Sequence, residues 1–122
     1  MRHLVPHALI LFATAAWAGG HIAEPTYLTV FALGHLGAPI WSAAVARRAT
    51  RVRAILVGPG SIIAVHAIAL VITWLLAIGD NPEGSWITLM IVVYWSIALA
   101  AYVVYCAIAF ALVTRFSPRR SS

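Results

Sequence analysis

Lysine is missing altogether, cysteine occurs once, and acidic residues number three in a chain of 122. Each shortage removes a class of function. Cys106 stands alone inside an apolar run, so neither a disulfide framework nor a cysteine-based metal site can form within one copy. Glu24, Asp80 and Glu83 fall between apolar runs or at their ends, and no Asp, Glu, Lys or Arg stands in the middle of one. Ion-coupled transporters usually keep an ionisable group at mid-depth; without that carboxylate, coupled export of the small multidrug type is disfavoured. There is no Gly-x-Ser-x-Gly elbow, phosphate loop, His-x-x-Glu-His helix or pair of carboxylates on one helix face, so the chain is read as non-enzymatic.

Charge of any kind is scarce: 9% of residues are charged, against about a quarter in soluble domains. Apolar residues make up 63%. A water-soluble domain of this length leaves roughly a third of its unfolded surface exposed, and these few charges cannot cover it. Lipid is the solvent this composition fits, and the expected fold class is an all-α integral membrane protein.

A crossing needs about 20 mainly apolar residues to span about 30 Å of hydrocarbon. Four segments qualify, at residues 4–23, 27–46, 54–79 and 86–114. The first is the weakest. Its basic start, the apolar stretch from Ala8 to Ala16 and the Ala16-Trp17-Ala18 triplet imitate a secretory signal peptide, and its retention as a membrane helix is expected. Gly58-Pro59-Gly60 should kink the third span or end an interfacial turn before a span that begins near Ser61. Pro39 should kink the second. Asp80 to Ser85 reads as a turn, with Ser85 available to cap the last helix. There is no internal repeat and no linker, so residues 1–122 form a single transmembrane helical domain.

The net charge of +5 rests on eight arginines. Arg47, Arg48, Arg51 and Arg53 lie between spans two and three, Arg115, Arg119 and Arg120 follow span four, and Arg2 precedes span one. Short arginine-rich loops stay in the cytoplasm, so four spans with both termini cytoplasmic put every arginine on one side. A three-span variant that demotes the first segment displaces only Arg2 and His3. This distribution is a topology signal rather than a nucleic-acid groove, so no nucleic-acid partner is expected, while contact with anionic headgroups is compatible with it. Trp17, Tyr27, Trp74 and Trp86 fall near the external ends, where amphipathic rings favour the headgroup level.

Two histidines lie deep, His35 in span two and His66 in span three. One reading is axial ligation of a b-type haem, or of the magnesium of a chlorophyll-type pigment. The competing and favoured reading is hydrogen bonding to a neighbouring helix or carbonyl. His3, His7 and His21 read as interfacial. Gly34, Ala38, Ser42 and Ala46 recur every four residues and form a small-residue stripe suited to close helix packing, either within the chain or against a partner. Ser96, Ala100, Ala107 and Ala111 repeat this more weakly. Tyr94 with Tyr105, and Trp95 with Tyr102, share faces of span four.

Minimal loops, missing catalytic groups and small-residue faces point to a non-catalytic accessory or anchor subunit of a larger bacterial plasma-membrane assembly, respiratory or photosynthetic. Its partners would be membrane lipid and other membrane subunits or copies of itself. Two alternatives stay open: a haem- or pigment-binding anchor using His35 and His66, and a small oligomeric channel, holin or transporter.

Overall fold

The computed structural model describes residues 2–78 and 82–116, which are helical throughout apart from short connections, with no strand among them. Five helices follow in order: α1 (Val5–Ala18), α2 (Glu24–Val45), α3 (Arg51–Val57), α4 (Pro59–Ile78) and α5 (Pro82–Phe116). Single 3-10 turns occupy Arg2–Leu4 and Arg48–Thr50. The chain divides into two compact units, one formed by Met1–Ile62 with Cys106–Ser122 and the other by Ile63–Tyr105.

Helix ends follow local chemistry more closely than hydropathy does. α2 starts at Glu24, three residues before the expected span, because Pro25 in the first turn needs no amide partner and the Glu24 carboxylate suits the positive end of the helix dipole. α5 starts at Pro82 for the same reason, so the expected capping role of Ser85 is overturned: Ser85 lies inside the first turn. Asp80 and Asn81 of the expected turn, and Arg119 and Arg120, lie outside the described residues. The expected third span is two helices. Gly58 leaves helical geometry at φ −82° and ψ −107°, and Pro59 opens α4. Pro39 sits fully buried inside α2, where it withholds the hydrogen bond that the His35 carbonyl would otherwise accept.

Among the described residues, three stretches are long and apolar enough to cross a membrane: Glu24–Val45, Arg48–Ala77 and Trp86–Phe116. α1, with 14 residues, is shorter than the expected span 4–23. Its helix breaks at Gly19 and Gly20, the latter at φ +74°, a left-handed conformation that glycine adopts without a Cβ penalty.

Alanine dominates the interior, with Ile62, Leu70 and Phe110 beside it, while most large apolar side chains lie on the exterior. Ala13, Ala38, Ala43, Ala54, Ala77 and Ala109 are buried, while Leu11, Phe12, Leu75, Leu76, Trp86 and Ile87 are all at least 60% exposed. Water would impose the opposite arrangement. In lipid, large apolar groups gain nothing by turning inward, and small residues let helix backbones approach closely enough for dispersion contacts. Three potential crossings and this distribution make the chain a multi-pass membrane protein.

In the first unit α1 and α2 form an antiparallel hairpin. At one end the Trp41 indole N–H donates to the Arg2 carbonyl at 2.5 Å. Midway, Gly34 faces Ile10 so closely that an added Cβ would lie 2.5 Å from Ile10 Cγ1. At the other end Trp17 stacks on Tyr27, with ring centroids 4.8 Å apart and planes 10° apart. α3 returns along the last turns of α2. Ala43 and Ala54 pack there with Phe110 of α5, and Ala46 and Val113 flank them. In the second unit His66 of α4 meets Trp95 of α5 edge-on, centroids 5.9 Å apart.

Candidate functional site

The i, i+4 spacing of Tyr27, Phe31 and His35 places all three on one face of α2. Their rings make a ladder: Tyr27 to Phe31 at 5.7 Å and Phe31 to His35 at 4.1 Å. The His35 ring is held at its lower edge, where Nδ1–H donates to the Phe31 carbonyl at 2.9 Å. A carbonyl can only accept, so the Nδ1–H tautomer is fixed. Thr14 of α1 lies 3.4 Å from the Tyr27 hydroxyl at the top of the ladder.

A polar cluster joins α1 to the start of α4. His7 Nε2 lies 2.6 Å from Ser61 Oγ. The Ser61 hydroxyl proton is committed to the carbonyls of Val57 and Gly58, at 2.7 and 2.9 Å, so the imidazole N–H is the donor and Ser61 Oγ the acceptor. That leaves His7 Nδ1 as a lone pair, and this atom is buried with no hydrogen-bond partner. His7 was expected at the interface, yet it reaches a residue 54 positions away in sequence. No local signal could have announced that bond, because it exists only once α1 meets the start of α4.

His35 belongs to the first unit and His66 to the second. Both are half-buried and both have polar or ring partners, His35 at Phe31 and His66 at Trp95. Among the described residues no group of three or more His, Cys, Asp or Glu could hold a metal ion. Of the small-residue stripe, Gly34, Ala38 and Ser42 are buried and Ala46 is half-buried. Gly34 is covered by Ile10, and Ser42 lies against Gly58, where an added Cβ would come within 2.8 Å of Ser42 Cβ. Contacts within the chain therefore occupy this face. On α5, Ser96, Ala100, Ala107 and Ala111 are all exposed. Tyr94 is exposed while Trp95, Tyr102 and Tyr105 are half-buried, and Tyr102 and Tyr105 sit 6.2 Å apart. The expected Tyr94 and Tyr105 face is thus open at one end.

The described arginines of the first unit collect at one end. Arg2 is tied to Trp41, the Arg47–Arg53 connection follows α2, and Arg115 lies two residues beyond Val113, which packs beside Ala46. The turn is closed on itself: the Arg47 amide donates to Thr50 Oγ1 at 3.1 Å, and the Thr50 amide donates to the Arg47 carbonyl at 2.9 Å. Trp17 and Tyr27 mark the opposite end of the hairpin.

Comparison with protein-family models, with curated proteins and with solved structures finds no match for this chain.

Proposed function

We propose that the protein crosses a bacterial plasma membrane four times, with both termini cytoplasmic, and serves as a non-catalytic anchor or accessory subunit of a larger membrane assembly, respiratory or photosynthetic. The antiparallel seating of α1 along α2 is the observation that carries the four-span topology. Contacts at both ends, Arg2 with Trp41 and Trp17 with Tyr27, match the two helices over the whole length of α1. If α2 crosses, α1 crosses beside it. The 14 residues of α1 rise about 21 Å and the preceding 3-10 turn adds about 6 Å, so the pair falls only a few ångströms short of about 30 Å of hydrocarbon. A mismatch of that size is absorbed by local thinning and snorkelling flanks. Arg2, the Arg47–Arg53 connection and Arg115 at one end then supply the cytoplasmic charge.

The subunit role draws its support from α4 and α5. The apolar stretches Arg48–Ala77 and Trp86–Phe116, to which they belong, bury only 22% and 11% of residues in their most apolar windows, leaving long faces, including the small residues of α5, open to lipid or to another membrane protein. Crosslinking in native membranes followed by mass spectrometry tests it: one recurrent membrane-protein partner is expected, and recovery of the chain only by itself refutes the role. An impermeant maleimide tests the topology in C106A protein carrying A49C or H21C. Label should reach position 21 from outside and position 49 only after the membrane is opened; the reverse pattern, or both from one side, sinks the threading.

A second reading has one observation in its favour. The Nδ1–H tautomer of His35, fixed by the Phe31 carbonyl, is the arrangement that ligation of a haem iron or pigment magnesium through Nε2 requires.

A further inference from the structure

All of the described arginines stand at one end of the first unit, and the only acid in that unit's sequence is Glu24. Glu24 opens α2, and the Arg47 connection follows Val45; 22 helical residues put about 33 Å between them. Glu24 therefore cannot neutralise Arg2, Arg47, Arg48, Arg51, Arg53 or Arg115, all of them exposed. Guanidinium groups gathered without counter-charge attract anions, and a planar fork of donors suits phosphate oxygens.

The same surface carries an apolar component. On α3, Val52 and Leu56 lie four residues apart on one face and are 71% and 64% exposed. Ile55 of the same helix is also exposed. α3 therefore alternates arginine with open aliphatic groups, and Gly58 ends it before α4 begins. The Thr50 turn fixes where Arg48 stands relative to this helix. A dissolved phosphate would use only the guanidinium groups. A phospholipid uses both parts.

We propose that Arg48, Arg51 and Arg53, with Val52 and Leu56 of α3, form a binding surface for an anionic phospholipid, its phosphate on the guanidinium groups and its acyl chains along the exposed aliphatic side chains. The surface rests on the chain being embedded in a membrane and not on its being a subunit, so failure to find a protein partner leaves it standing. Arg115 and Arg2 extend the positive field around it. The preference it creates is for lipid charge: each basic residue near an anionic surface strengthens attachment roughly fivefold.

The test is retention of lipid during native mass spectrometry of the full chain released from mixed micelles containing phosphatidylcholine and phosphatidylglycerol in equal amounts. Wild type should keep phosphatidylglycerol at least tenfold over phosphatidylcholine. R48Q/R51Q/R53Q should lose that preference, R48K/R51K/R53K should keep most of it, and V52S/L56S should weaken retention while leaving the headgroup preference. Because all five side chains are exposed, each variant should unfold at the wild-type temperature, which the reactivity of the buried Cys106 thiol reports. Equal retention of both lipids by wild type, or an unchanged preference in the glutamine variant, overturns the proposal. So does displacement of the lipid by millimolar inorganic phosphate with no effect of V52S/L56S, which would mark a site for free anions.

Discussion

Gly58→Ala is the most informative single substitution, because backbone freedom and sterics oppose each other there. Replacing glycine removes unfolded-chain entropy, which by itself is worth at most about 0.4–1 kcal/mol. The new Cβ, however, would lie 2.8 Å from both Ser42 Cβ and the Ala54 carbonyl oxygen and would press on Ser42 Oγ. Carbon atoms rest at about 3.5–4.0 Å, so α2 and the end of α3 must separate by roughly 1 Å. Overpacking of this kind costs about 1–3 kcal/mol, and it wins. The net loss of about 1–2 kcal/mol lowers the unfolding midpoint by roughly 4–8 °C for a chain of this size. Cys106 supplies the assay: it is the chain's sole cysteine, buried in the same unit, and a thiol-reactive dye reads its exposure during heating in detergent. Ser42→Gly in the Gly58→Ala background should recover at least about 0.5 kcal/mol, since the two sites share one contact. Gly37→Ala is the control of opposite sign. Nothing lies within 4 Å of its added Cβ, and alanine inside a helix gains up to about 1 kcal/mol. Wild-type melting of Gly58→Ala, or an equal fall for Gly37→Ala, would refute the account of how α2 and α3 meet.

A double-mutant cycle between His7→Phe and Ser61→Ala should give a coupling of about 0.5–1.5 kcal/mol in the same assay, and zero coupling would mean that the 2.6 Å bond contributes nothing. For the ligand-binding reading of His35, protein purified from its native membrane should show a Soret or chlorophyll band that His35→Ala abolishes; a colourless wild type excludes it.

The three long apolar helices were legible in the sequence because hydropathy over 18 or more residues is a strong signal and the arginines frame it. The ends were less so. Glu24-Pro25 and Pro82 begin helices by chemistry that a hydropathy window does not weigh, and Gly58-Pro59-Gly60 supported either a kink or a restart until Gly58 was seen against Ser42. The every-fourth pattern of Gly34, Ala38, Ser42 and Ala46 announced a packing face but could not say whose. That answer lay in Ile10 and Gly58, far away along the chain. His7 was unreadable for a related reason, since its partner Ser61 is brought to it by the hairpin and by the restart of α4 together.

The brevity of α1 bears on how the molecule enters its bilayer. Fourteen helical residues provide too little greasy length to hold a transmembrane position unaided, while the glycine-containing groove of α2 that receives Ile10 exists only after α2 has been synthesised. On the proposed four-span threading the two would insert as a pair, α1 being held until Val45 has emerged, and a stop placed before that point would then release an unanchored polypeptide.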